Sequence, residues 1–157
     1  MSRVRQVILL IGCIVILTGC GALSEMKARS AMDAMNNGDL ETYLQDWDEE
    51  ATFVYPGHTS ASGEITGKKA IREWFEHWRT VFPDLKFTLK NIYLKDNFYI
   101  GADNTMAVHW EAQATNKFGK KVHSTGIGVV TIKGTKVVRV QDYIFDADKL
   151  NEFWGEQ

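Results

Sequence analysis

The stretch Met106-Ala107-Val108-His109-Trp110-Glu111-Ala112-Gln113-Ala114 decides the fold class. Met106, Val108, Trp110, Ala112 and Ala114 alternate with the residues between them, a period of two that lays one face of a strand on a core. The pattern spreads in both directions. Upstream, Leu85, Phe87 and Leu89 alternate with Lys86, Thr88 and Lys90. Downstream, Asn116 to Gly119 turns the chain into Val122 to Ile132, Gly134-Thr135 supplies a two-residue hairpin connection, and Val137 to Phe145 forms a last strand. From Leu85 to Phe145 the chain reads as an antiparallel meander.

Ahead of the meander the period becomes helical. Ala28, Ala31, Met32 and Met35 fall on one face between Ser24 and Asn37. Asn36-Asn37-Gly38-Asp39 then stops that helix and supplies Asp39 as the N-cap of a second, whose inner stripe is Leu40, Tyr43, Leu44 and Trp47. Ala51 to Tyr55 is a short strand halted by Pro56-Gly57, and the small polar run His58 to Glu64 reads as a loop. Thr66-Gly67 opens a third helix that turns Ile71, Trp74, Phe75 and Trp78 inward. It ends at Phe82-Pro83-Asp84, because the residue before a proline is pushed out of the helical region. After the meander, Asp146 caps a closing helix that buries Leu150, Phe153 and Trp154. Helices and antiparallel strands kept to separate parts of the chain make an α+β domain over residues 26–157.

Residues 1–19 read as an address. Arg3 and Arg5 precede the apolar run Val7 to Leu17, too short for comfortable spanning, and Leu17-Thr18-Gly19-Cys20 resembles the bacterial lipobox. The resemblance implies cleavage before Cys20, diacylglycerol on its thiol, and a tether over residues 20–25. An anchor helix is the alternative, since no charge appears between Val7 and Leu23. The expected location is therefore outside the cytoplasm, on a cell membrane or outer membrane. Removing Arg3 and Arg5 from the 18 basic residues leaves 16 against 20 acidic ones, a charge of about −4. Such a domain is not drawn to anionic lipid by charge, so membrane attachment rests on the lipid at Cys20. Cys13 leaves with the signal, so no free thiol and no disulfide are expected in the mature domain.

Composition narrows the classes further. The 157 residues suit one domain, and 45% hydrophobic content with 5 Trp, 8 Phe and 5 Tyr excludes disorder. Acidic residues outnumber basic ones and no basic run occurs, so no nucleic-acid partner is expected. His58, His77, His109 and His123 are too scattered for a metal site, and neither a phosphate-binding loop nor a serine nucleophile elbow is present, so no cofactor is expected.

Four local motifs in this order resemble the nuclear transport factor 2-like superfamily, and within it the SnoaL-like branch. They are Asn37-Gly38-Asp39-Leu40, Gly67-Lys68-Lys69-Ala70-Ile71, Phe82-Pro83-Asp84, and Val138 to Asp146 running into the closing helix. The resemblance covers roughly residues 32–155. It implies a cone, in which a strongly curved antiparallel sheet wraps around three N-terminal helices, with a short C-terminal helix. The open end of that cone is a pocket that different members use for catalysis, ligand binding or dimer contacts.

The candidate residues follow from that pocket. The resemblance places an acidic base on the last strand, where Asp142 and Asp146 are four apart and share a face if the strand stays extended. A carboxyl on the pocket face loses water, its pKa rises, and it can act as a general base. Asp146 is equally placed to cap the closing helix, and Asp142 to pair with a lysine or arginine on a neighbouring strand. The histidine that related cyclases carry before the last hairpin is missing from Val129-Val130-Thr131-Ile132, and His123 is a substitute only in a favourable register. Tyr55 and His58 flank Pro56-Gly57, a position for a pocket rim and a carbonyl-polarising hydroxyl. Trp74 and Trp78 either pack the core or line an apolar cavity. His109 and Glu111 form an acid–base pair or simply the solvated face of their strand. The reading is a lipid-anchored binder of a small apolar or amphipathic ligand or of a protein. The alternative is an isomerase, cyclase or epoxide-type hydrolase with an aspartate base. Pairing with a second copy stays open.

Overall fold

Every second residue of the deciding stretch is buried, from Met106 to Ala114, and the residues between them lie nearer the surface. The structure, a computed structural model, describes residues 23–96 and 103–155. The expected signal peptide and Cys20 lie outside the described residues. The chain runs through helix α1 (23–37), α2 (Leu40–Leu44), β1 (Trp47–Tyr55), β2 (Gly63–Thr66) and α3 (Lys68–Val81). There follow β3 (Lys86–Leu94), β4 (Asn104–Thr115), β5 (Lys121–Lys133) and β6 (Lys136–Ile144). A 3₁₀ turn (Ala147–Lys149) and α4 (Leu150–Trp154) close it.

Among the described residues the strands form one curved sheet in the order β2-β1-β6-β5-β4-β3. The meander pairs antiparallel as its alternation predicts, with Val108 opposite Gly128 and Gly128 opposite Asp142. β1 joins the sheet parallel to β6, setting Phe53 beside Val140. Helix α3 packs its stripe of Ile71, Phe75 and Trp78 into the hollow of the sheet.

Several local expectations change. Trp47 opens β1 instead of ending α2, because the helix closes after Leu44, and β1 runs nine residues. The expected loop holds β2, whose Glu64 and Ile65 pair with Val54 and Phe53. It escapes a pattern search because Gly63-Glu64-Ile65-Thr66 carries a single large apolar residue. Asp39 does cap α2, its carboxylate accepting the Thr42 amide at 3.0 Å; hydrogen bonding from the Thr42 side chain, and then from that amide, holds its pKa below the usual value. Asp146 donates no such cap: its carboxylate pairs with Lys149 at 3.6 Å and only its carbonyl accepts the Lys149 amide.

Glycine sets the close fit of β4 on β6. A β-carbon at Gly126 would lie 2.5 Å from the Tyr143 carbonyl oxygen and 2.9 Å from the Trp110 ring, so only glycine lets Trp110 lie across β5.

Candidate functional site

The sheet and helices leave a cavity of about 220 Å³. Helix α1 forms one wall through Ala28, Ala31, Met32 and Met35, and the inner face of β4–β6 forms the opposite one. Phe53, Phe75, Trp78 and Phe87 supply aromatic surface. Nearly all of the lining is apolar, as ligand cavities generally are, with few polar groups to fix orientation.

Asp142 lies on the inner face of β6 between Val140 and Ile144, and its side chain enters that lining. Burial pushes its carboxyl up to about 7, opposed by a hydrogen bond from the Trp110 indole, which favours the charged form. Gly128 makes room for the pair, since a β-carbon there would sit 3.0 Å from Asp142 Oδ1 and 3.8 Å from Trp110 Nε1. Tyr43 also lines the cavity, and burial together with the Asp142 charge pushes its phenol above its ordinary range. The outcome is an acid near its midpoint at neutral pH, held by an indole and beside a phenol, inside an apolar chamber.

The other candidates separate from Asp142. Asp146 is in the turn after β6 ends at Ile144, so the shared-face argument does not reach it. It borders a shallow surface groove with His123, Lys149 and Glu152, away from the cavity. His123 is exposed on β5. His58 is exposed in the bend beyond Pro56. Tyr55 lies in the core instead of on a rim: only 3% of it is accessible, and its hydroxyl accepts the Trp154 indole at 3.1 Å. Trp74 donates to the Ala61 carbonyl at 2.9 Å and packs on Phe53, Tyr55 and Trp154, behind the cavity wall. Trp78 does line the cavity. His109 faces outward, against Thr125 Oγ1 at 3.3 Å and the Phe145 ring, while Glu111 pairs with Lys90 at 3.2 Å.

Two participants escaped the sequence reading. Tyr43 and Trp110 belong to stripes that announce a core and not a site. The available signal was Gly126-Ile127-Gly128, since glycines two apart inside a strand mark close approach on one face. Among the described residues no cluster of three or more His, Cys, Asp or Glu is placed to hold a metal.

A curved six-stranded sheet closed over N-terminal helices is the nuclear transport factor 2-like architecture. Residues 28–140 match the SnoaL-like domain, and the chain belongs to that family. Its fold is similar to Bal32a from a soil-derived mobile gene cassette, at TM-score 0.74 and 21% identity over 85% of this chain and 98% of that one. It is also similar to a nuclear transport factor 2-like protein of Burkholderia pseudomallei, at TM-score 0.67 and 13% identity, covering 82% and 94%. TerC, crystallised with polyporic acid, shares the fold at TM-score 0.65 and 16% identity, covering 83% and 97%. No curated protein matches the chain in sequence.

Proposed function

We propose that this chain is an exported, lipid-anchored protein that holds a small apolar or amphipathic molecule in the cone. The observation that carries the reading is the cavity itself: an apolar chamber of about 220 Å³ whose wall includes the Asp142 carboxyl, with Asp46 beside Lys27 at its edge. The co-crystal of TerC with polyporic acid supports small-molecule use of this fold. The lipobox at Leu17 to Cys20 supports the anchor. Native mass spectrometry of the purified chain tests the binding function. A bound small molecule released by denaturation is the expected result, and a persistently empty chain that takes up no apolar compound from a panel contradicts it.

A second reading is favoured by the Asp142 carboxyl lying near 7. A base is most effective when its pKa approaches the working pH. In this reading the bound molecule is a substrate with a carbonyl, and Asp142 takes a proton from the carbon beside it. The electron pair moves onto the carbonyl oxygen, where Tyr43 can donate a hydrogen bond. Where a C=C bond lies next to that carbon, return of the proton to the far carbon of the double bond moves it into conjugation and completes an isomerisation. Incubation with a cyclic ketone in D₂O tests the step: the wild-type chain should speed deuterium uptake beside the carbonyl, and Asp142→Asn should abolish it while still binding the ketone. Equal uptake by the two proteins rejects Asp142 as the base.

A further inference from the structure

The cavity has a direction. Helix α1 runs along it for four turns, and its lining residues change from exposed to buried along the way. Leu23 is 49% accessible at one end and Met35 only 3% at the other. Twelve residues of helix separate them, about 18 Å at 1.5 Å per residue. The sheet gives the same direction. Thr135, in the β5–β6 hairpin, is exposed where it meets the lining, whereas Trp110 on β4 is 7% accessible. From Val137 to Asp142 along β6 is about 17 Å at 3.3 Å per residue. The mouth therefore lies at the N-terminal end of α1 and the β5–β6 hairpin. Asp142 and Trp110 lie toward the closed end.

The rim has its own chemistry. Leu23 exposes an apolar side chain there. Of the charges that line the mouth, Lys27 pairs with Asp46 at 2.9 Å; Lys133 and Lys136 flank the hairpin, Lys136 donating to the Gln45 carbonyl at 3.2 Å. An exposed leucine among lysines suits a lipid surface. Leu23 is three residues beyond Cys20. Even fully extended, that connection spans at most about 11 Å.

We propose that the mouth of the cavity faces the bilayer that holds the Cys20 lipid, and that its ligand is an amphiphile taken directly from that leaflet. The apolar tail runs down the channel beside α1 toward Trp110, and the polar head stays at the rim near Lys27 and Asp46. The inference rests on the lipid-anchored binding function, to which it adds the source and chemical class of the ligand. The short connection is then functional: it keeps the mouth on the membrane, so the ligand need not cross water.

The test uses the full, lipidated chain in phosphatidylcholine vesicles, with 12-bromododecan-1-ol as probe. Trp47, Trp78 and Trp110 line the cavity, so a bromine inside it quenches tryptophan fluorescence. A second protein carries a 20-residue Gly/Ser spacer between Gly21 and Ala22, long enough to reach about 25 Å and free the mouth from the surface. When the probe is supplied in the vesicles, the spacer variant should be quenched at least ten-fold more slowly than wild type. When the probe is supplied from water to unlipidated Cys20→Ala chains with and without the spacer, the two should agree within two-fold. Equal rates from vesicles, with quenching intact from water, overturn the membrane-facing mouth and leave the binding function standing. No quenching in any format overturns both. Quenching confined to the Cys20→Ala chains also overturns the proposal, because it means that the protein's own acyl chain fills the channel.

Discussion

Asp142 is held by its surroundings closer to a neutral acid than to a carboxylate. Its pKa is raised to about 7 from 3.8, so between these values the folded chain binds more protons than the unfolded one. Stability therefore falls as pH rises from about 4 to about 7, by on the order of a few kcal/mol. Asp142→Asn removes the charge and keeps the shape. Thermal melts should show the variant more stable than wild type at pH 8 and nearly equal at pH 4. The Trp110 indole works the other way, favouring the charged form. Trp110→Phe deletes that donor with little loss of apolar surface, and should move the Asp142 midpoint above its wild-type value in a pH titration. The spacing of Asp142 from Val140 and Ile144 puts the three on one strand face in the sequence, but which way that face points is not readable there. Its partners are not readable either, because Trp110 reaches it across β5, through a gap left by Gly128, which a one-dimensional pattern does not display.

The elements obey local rules where their neighbours are local. The stripes of α3 and the alternation of β3 and β4 fall where the periodicities put them. The departures occur where a distant partner decides. Tyr55 looked like a rim residue beside Pro56-Gly57, but Trp154, 99 residues on, takes its hydroxyl into the core. Trp74 looked like a cavity wall, but the Ala61 carbonyl and the Tyr55 and Trp154 rings hold it behind that wall. Two glycines of β5 separate stability from function at this scale. Gly126→Ala forces a methyl against the Tyr143 backbone, which cannot yield, and should cost about 2 kcal/mol or more in denaturant unfolding. Gly128→Ala meets only the end of the Asp142 side chain, and should cost less while displacing the carboxyl and shifting its titration. Equal losses from the two would mean that Gly128 serves packing alone.

At the scale of the molecule, the sheet is closed by α3 and α4 on one side and left hollow along α1. The aromatic layer of Phe53, Tyr55, Trp74, Phe75, Trp78 and Trp154 fills the first region, with neighbouring rings 4.9–6.3 Å apart. Small and flexible side chains of α1, Ala28, Ala31, Met32 and Met35, border the second. The hollow opens chiefly along α1, whose alanines are too short to fill it, with Phe75 and Trp78 of α3 as part of its wall. Attachment belongs to this scale as well. Cys20→Ala should leave the membrane fraction, and continued sedimentation with membranes would argue for a spanning helix instead of a lipid.

The central claim is that an apolar cavity holds an aspartate poised near neutrality. It is tested most directly by following the side-chain carboxyl ¹³C resonances of the aspartates from pH 3 to pH 9. One resonance should titrate with a midpoint near 7 and be missing from Asp142→Asn. A wild-type protein in which every aspartate titrates below pH 5 would contradict the account, and with it the base, the chamber and the chemistry assigned to them.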